Sequence, residues 1–120
     1  MPKPKIYQYE RCSTCRKALK YLDLKGVAYQ SVPIVERAPT KAELKIALKA
    51  FGGDLRRLFN TSGQVYREMQ LSQKIKTMHV KEAIDLLNSN GKLVKRPFVL
   101  TDKGVLVGFK EAEWDRVFGS

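Results

Sequence analysis

Hydrophobic positions in the first part of the chain switch from strand spacing to helix spacing and back. Residues 5–9 form a short apolar and aromatic run that predicts a strand. A helix ending near Gly26 is then predicted by the i, i+3, i+4, i+7 spacing of Cys15, Ala18, Leu19 and Leu22. Residues 27–35 return to strand character. A strand, a helix and a strand over about thirty residues predict a βαβ unit with parallel strands and a right-handed crossover.

The middle of the chain has helical periodicity instead. Thr40 and Glu43 form a capping-box pattern at the start of a predicted helix. The inward face of this helix and the glycines that end it are Leu44, Ala47, Leu48, Phe51, Gly52 and Gly53. Residues 54–90 predict helices in short pieces, over 54–59, from near Gly63, and over 80–87 with Ala83, Ile84 and Leu87 inward. The polar run 88–91 predicts a turn after them.

The last quarter of the chain predicts a hairpin followed by a helix. Residues 98–101 and 105–107 have strand character, and 102–104 between them is a turn sequence. A final helix is predicted over 111–118, with Trp114, Val117 and Phe118 on its buried face. The order βαβ, helices, ββα predicts an α/β protein of the thioredoxin-like fold. We expect one domain over 1–120, with an all-helical insertion at approximately 40–90.

Composition and charge narrow the class of protein. The chain has 120 residues, 43% of them hydrophobic, which is typical of a globular domain. No apolar run is long enough for a membrane span or a signal peptide, so we expect a cytoplasmic protein without membrane contact. The net charge of +11 can attract nucleic acid, an acidic protein surface or a small anion, or simply aid solubility. Because the basic and aromatic residues form no alternating ladder, direct DNA binding is not expected.

Both cysteines of the chain lie in one Cys-Ser-Thr-Cys motif, where the first strand gives way to the first helix. At a helix start, free backbone N–H groups and the helix dipole favour a thiolate at Cys12, and Arg11, Arg16 and Lys17 add positive charge. We therefore predict a lowered pKa and a nucleophilic role for Cys12. Cys15, one turn further and on the apolar face, is suited to resolve a mixed disulfide at Cys12.

Two other interpretations of the cysteines stay open. A zinc site needs about four ligands, and the chain offers two cysteines and His79, so a metal site would require two chains. Alternatively, both cysteines are inert, small apolar residues of the core. Neither a metal nor a bound cofactor is expected, and a CxxC pair at a strand–helix junction favours redox chemistry.

Three ordered motifs resemble those of one known family. They are CSTCRKA at 12–18, FNTSGQVYREM at 59–69 and LVKRPFVLTDKGVLVGFKEAEW at 93–114. Together they identify the chain as a member of the arsenate reductase–Spx family of thioredoxin-like proteins. The resemblance spans nearly the whole length, including the helical insertion, and the wording of the second motif is closest to a reductase-like branch.

The resemblance implies a site made of the cysteine pair and the third motif. It implies that Arg96 and Pro97 form a cis peptide bond opposite the active cysteine, with Arg96 catalytic and able to hold an anion. The residues assigned to substrate binding are Ser13, Thr14, Arg16, Ser62 and Pro97. True arsenate reductases use a cluster of arginines, but Ser62 stands where one is expected and GVLVGFK supplies none. Arsenate reduction itself is therefore disfavoured.

Two functions follow from the residues and the resemblance. The first is a thiol–disulfide oxidoreductase, similar to arsenate reductases, in which Cys12 attacks and Cys15 resolves. Its partners would be a small thiol or disulfide substrate and a thiol reductant such as glutathione, glutaredoxin or thioredoxin. The second is an Spx-like regulator that senses oxidation through the same pair and binds RNA polymerase.

Overall fold

The computed structural model describes residues 3–119, which fold into two compact units. The first unit combines the chain up to Pro33 with the chain from Arg96 onward, and the second is Ile34–Lys95. The predicted helical region at 40–90 lies within the second unit, and a single domain over 1–120 stays a prediction. No helix formed by residues 3–119 is long and apolar enough to cross a membrane.

The first unit is a four-stranded sheet with helices, in the chain order βαβ and then ββα. Its elements are β1 (Lys5–Gln8), α1 (Ser13–Leu24), β2 (Gln30–Pro33), β3 (Phe98–Thr101), β4 (Gly104–Val107) and α6 (Glu111–Phe118). The strand order is β2-β1-β3-β4, with β1 parallel to β2 and antiparallel to β3, and β3 antiparallel to β4. This is the thioredoxin-like fold, and the predicted α/β class is confirmed.

The core of this unit joins α1 and α6 to the central strands. Its buried residues are Ile6, Ala18, Tyr21, Leu22, Val99, Leu106 and Trp114. Trp114 is fully buried and donates from its indole Nε1 to the Gly108 carbonyl at 3.1 Å. Val117 and Phe118, predicted to be buried with it, are only half-buried. The helical spacing therefore identified the inward face of α6, although its last turn stays partly open to solvent.

Three predicted strands in this unit had wrong boundaries. β1 ends at Gln8, one residue earlier than predicted. The second strand covers Gln30–Pro33 rather than 27–35, because the Val27 N–H bonds back to Leu22 at the end of α1. β4 begins at Gly104, one residue earlier than predicted, since Gly104 pairs with Thr101 across the hairpin. Element ends depend on such pairings, which apolar patterns do not record.

The second unit is formed by helices and by one isolated β-bridge between Phe59 and Val94. Its elements are α2 (Lys41–Ala50), a 3-10 helix at Leu55–Leu58, α3 (Gln64–Glu68), α4 (Leu71–Lys74), α5 (Val80–Ser89) and a 3-10 helix at Gly91–Leu93. The predicted capping box is confirmed: Thr40 Oγ1 accepts from the Glu43 N–H at 3.1 Å, and Glu43 Oε1 accepts from the Thr40 N–H at 2.9 Å. Gly52 and Gly53 follow α2 with positive φ angles of 66° and 86°, as expected for residues that end a helix.

The rest of this unit corrects the predicted boundaries. The stretch expected from Gly63 is two short helices, α3 and α4, separated by Gln70 in the left-handed region at φ 53°. The turn predicted at 88–91 starts later, because α5 continues to Ser89 and a 3-10 turn begins at Gly91. The inward face predicted for α5 is confirmed, since Ala83, Ile84 and Leu87 are buried.

Candidate active site

A turn between β1 and α1 places Cys12 at the start of the helix. The Cys12 N–H donates to the Tyr9 carbonyl at 2.9 Å, which closes the turn after β1. Cys12 is then the N-cap residue of α1, and its Sγ accepts a hydrogen bond from the Cys15 backbone N–H at 3.3 Å. The N-terminus of a helix has free N–H groups and favours negative charge, so this sulfur is placed where a thiolate is stabilised.

The two thiols have different environments although they are one helical turn apart. Cys12 is half-buried, whereas Cys15 lies on the inward face of α1 and is fully buried. Both are free cysteines. Cys12 can therefore meet a substrate from solvent, while Cys15 is reached through Cys12.

The pKa of Cys12 is lowered below its ordinary value. Burial alone would raise this pKa, but it is outweighed by hydrogen bonds from the Cys15 side chain and backbone N–H, and by hydrogen bonding and charge from Arg96. The prediction of a lowered pKa is thus confirmed, and its charged cause is Arg96, which the resemblance placed opposite Cys12, rather than the residues next to Cys12 in sequence. Arg11, Arg16 and Lys17 are exposed and do not contribute, and the Arg16 guanidinium donates to the Glu10 carbonyl at 2.9 Å.

The pKa of Cys15 moves in the opposite direction. Burial, together with the hydrogen bond that its thiol donates to Cys12 and the charge of that thiolate, raises the pKa of Cys15 to about 12. The pair therefore ionises first at the accessible sulfur of Cys12 and keeps its proton longest at the buried sulfur of Cys15. This is the arrangement that a nucleophile and a resolving thiol require.

Arg96 lies beside Cys12 because the chain returns to the first unit just before β3. Its Cζ atom is 5.0 Å from the centre of the Tyr9 ring, so the guanidinium lies over that ring. The peptide bond from Arg96 to Pro97 is cis, as the resemblance implied. Tyr9 was missed in the sequence analysis, which treated it only as the end of a strand; its aromatic character next to a CxxC motif was the available signal.

For the remaining predicted site residues, the structure shows no hydrogen bond with the Cys12 thiol. Ser13 and Thr14 begin α1 and are exposed and half-buried, respectively, and Arg16 is exposed. Ser62 is exposed and belongs to the second unit. The structure thus brings together Cys12, Cys15 and Arg96, and substrate binding by the others stays a prediction. Within residues 3–119, no group of three or more metal-binding side chains is assembled.

Comparison with known proteins shows the family. The model of the ArsC family matches residues 7–117, which is most of the chain. The chain belongs to the ArsC family. Among its relatives, the protein YusI of Bacillus subtilis is 43% identical, and the match covers 92% of this chain and 93% of the YusI chain. The global transcriptional regulator Spx of Streptococcus mutans is 26% identical over 85% of this chain and 73% of its own.

Solved structures of ArsC-family proteins have the same architecture. An ArsC family related protein from Bacteroides fragilis is 47% identical, covers 97% of this chain and 99% of its own, and has a TM-score of 0.89. A possible arsenate reductase from Streptococcus mutans is 34% identical, and the match covers 98% of this chain and 100% of the reductase chain. Its TM-score is also 0.89. These similarities include the helical unit as well as the sheet.

Proposed function

We propose that this protein is a thiol–disulfide oxidoreductase in which Cys12 is the nucleophile and Cys15 the resolving thiol. The observation that carries the proposal is the contrast in burial and in the direction of the pKa shift between the two sulfurs. Cys12 is half-buried with a lowered pKa, and Cys15 is buried one turn behind it with a raised pKa. A thiolate is the attacking species in disulfide exchange, so the accessible sulfur is the one prepared to react.

In the first step the Cys12 thiolate attacks one sulfur of a substrate disulfide. A bond forms between Cys12 Sγ and that sulfur, and the substrate's S–S bond breaks. The other half of the substrate leaves as a thiolate with the electron pair and takes a proton from solvent. Cys12 is left in a mixed disulfide and no longer carries charge.

In the second step Cys15 resolves this mixed disulfide. The loss of the Cys12 charge removes one cause of the high Cys15 pKa, while the Tyr9 backbone and Arg96 still favour the Cys15 thiolate. Cys15 releases its proton to solvent and attacks Cys12 Sγ, so that the remaining substrate half leaves as a thiolate and is protonated. The substrate has gained two electrons and two protons, and the protein holds a Cys12–Cys15 disulfide.

Resetting the pair requires two electrons and two protons from an external thiol such as glutathione or thioredoxin. Arg96 would stabilise the Cys12 thiolate and orient an anionic substrate group, since a guanidinium offers several donors and stays charged. Substrate contacts at Ser13, Thr14, Arg16, Ser62 and Pro97 belong to the same proposal. Arsenate is disfavoured as the substrate because Ser62 replaces an arginine of the expected oxyanion cluster.

A redox-sensing regulator is the second candidate, and the similarity to Spx favours it. In that role, oxidation of Cys12 and Cys15 to a disulfide would change a surface that binds RNA polymerase, with no turnover of a substrate. Co-purification with RNA polymerase that responds to oxidant would support this candidate. Absence of the complex under both oxidising and reducing conditions would count against it.

The test compares the two cysteine variants with a small disulfide substrate and a thiol reductant. Cys12→Ser is expected to abolish turnover, because no nucleophile remains at the helix start. Cys15→Ser is expected to stop after the first step and to accumulate one mixed disulfide at Cys12, identified by mass spectrometry. Turnover by Cys12→Ser at the rate of the unmodified protein would refute the enzyme proposal.

A further inference from the structure

Tyr9 contacts each of the groups that make up the thiol site. Its carbonyl accepts the Cys12 N–H at 2.9 Å, hydrogen bonding from its backbone lowers the pKa of Cys15, and its ring lies under the Arg96 guanidinium with 5.0 Å between Cζ and the ring centre. The first two contacts use backbone atoms and would be made by other residues at this position. The contact with Arg96 is the one that depends on the tyrosine side chain.

We propose that Tyr9 is a positioning residue for the Cys12 nucleophile, whose ring holds the Arg96 guanidinium beside the sulfur. This inference rests on the proposed function and adds a residue that acts through Arg96 rather than on the substrate. The ring attracts a cation through its negative face, and a guanidinium stacks well on it.

Arg96 needs such a support because its charged end has no carboxylate partner among the described residues. Across residues 3–119, no ion pair joins Arg96 to a carboxylate; the ion pairs Lys25–Asp115 and Lys41–Asp85 do not involve it. An arginine side chain has many rotamers, and a half-buried one without a partner would spend time in solvent. Stacking on Tyr9 restricts it to positions from which it can donate to Cys12.

Only a few groups near the Cys12 sulfur can shift its pKa. The titratable groups that shift the Cys12 pKa are Cys15 and Arg96, and no described carboxylate contributes. Glu10, adjacent in sequence, interacts through its backbone carbonyl, which accepts from Arg16. A change at the Tyr9 ring can therefore reach Cys12 electrostatically through Arg96.

The experiment is a double-mutant cycle read out as the pH dependence of Cys12 alkylation by iodoacetamide, with mass spectrometry to locate the label. Tyr9→Leu is expected to raise the Cys12 pKa and to lower its thiolate fraction, below that pKa, about two- to five-fold, the size of an exposed cation–π contact. Tyr9→Phe, which keeps the ring, is the matched control and should behave like the unmodified protein. Arg96→Met should raise the pKa further, and adding Tyr9→Leu to it should change nothing more.

Each outcome decides the inference. An unchanged Cys12 pKa in Tyr9→Leu, or an equal further shift when Tyr9→Leu is added to Arg96→Met, would overturn it. Folding is checked by the fluorescence of buried Trp114, and Tyr9→Met replaces Tyr9→Leu if that variant is unfolded. If Cys12 of the unmodified protein titrates like an ordinary cysteine, the proposed function fails instead, so the two failures are distinguishable.

Discussion

At the scale of single residues, the site depends on the opposite pKa shifts of two thiols. Cys12 and Cys15 are chemically identical side chains, and the fold separates them by burial and by the direction of one hydrogen bond. Cys15 donates and Cys12 accepts, so each thiol reinforces the ionisation state of the other. Cys15 therefore has a second role beside resolution, because it supports the thiolate that it later attacks.

This second role can be measured with two substitutions of Cys15. Cys15→Ala removes the side-chain donor and is expected to raise the Cys12 pKa by about one, since a hydrogen bond to a charged group contributes about 1.5 kcal/mol or more. Cys15→Ser keeps a hydroxyl donor and is the matched control, for which we expect a smaller change. Alkylation rate against pH measures both. A Cys12 pKa in Cys15→Ala equal to that of the unmodified protein would contradict this role.

Much of the site could be predicted from the sequence, but the charge that lowers the Cys12 pKa was assigned to neighbours in sequence rather than to Arg96, which only the family resemblance placed opposite Cys12. The CxxC motif after a strand was sufficient to place Cys12 at a helix start and Cys15 inward. The nearby Arg11, Arg16 and Lys17 were the obvious sources of positive charge, yet Arg96, which is distant in sequence, supplies it. Proximity along the chain is a poor guide here, because the side chains of a helix point around its axis and only some face the cap.

At the scale of elements, the second unit depends on a close approach between Gly91 and the chain at Ile34. A Cβ atom at Gly91 would lie 1.8 Å from the Ile34 carbonyl oxygen and 2.7 Å from its carbon. Both are backbone atoms, so the clash cannot be relieved by a side-chain rotation. This contact fixes the end of α5 and the following 3-10 turn against the start of the unit.

Gly91→Ala is therefore expected to destabilise the protein by at least about 2 kcal/mol, as overpacking against backbone does. Lys92→Ala, at the exposed neighbouring position, is the control and should change stability by no more than about 0.5 kcal/mol. Urea unfolding followed by far-ultraviolet circular dichroism compares the two. Equal unfolding midpoints for Gly91→Ala and Lys92→Ala would show that the backbone can move apart at no cost.

Among the helices and strands, the features set by nearby residues were predicted correctly, whereas those set by strand pairing or by backbone conformation were not. The capping box of α2, the inward face of α5 and the β3–β4 hairpin follow from residues close together in sequence, and these predictions are confirmed. The length of β2 depends on pairing with β1, whose register runs only from Gln30 to Pro33. The division of 64–74 into two helices rests on the left-handed backbone of Gln70, a residue type that gives little warning of it.

At the scale of the whole molecule, the net positive charge and the known relatives indicate which substrates, partners and functions to test. The sequence has 23 basic and 12 acidic side chains, and the ion pairs Lys25–Asp115 and Lys41–Asp85 are partly or largely exposed, so they contribute little to stability. The positive field instead favours anionic substrates and partners. Relatives include both a possible arsenate reductase and regulators named Spx, so membership of the family is compatible with either proposed function.

The central property of the molecule is that its fold lowers the pKa of Cys12 and raises that of Cys15. Its most direct test is the alkylation rate of each thiol as a function of pH in the unmodified protein, with mass spectrometry to distinguish the two sites. We predict a Cys12 midpoint below the ordinary cysteine value of about 8.5, with the rate falling as pH drops below that midpoint. Cys15 should stay unreactive until the pH approaches about 12. Two thiols that titrate together near the ordinary value, or Cys15 reacting first, would contradict the account.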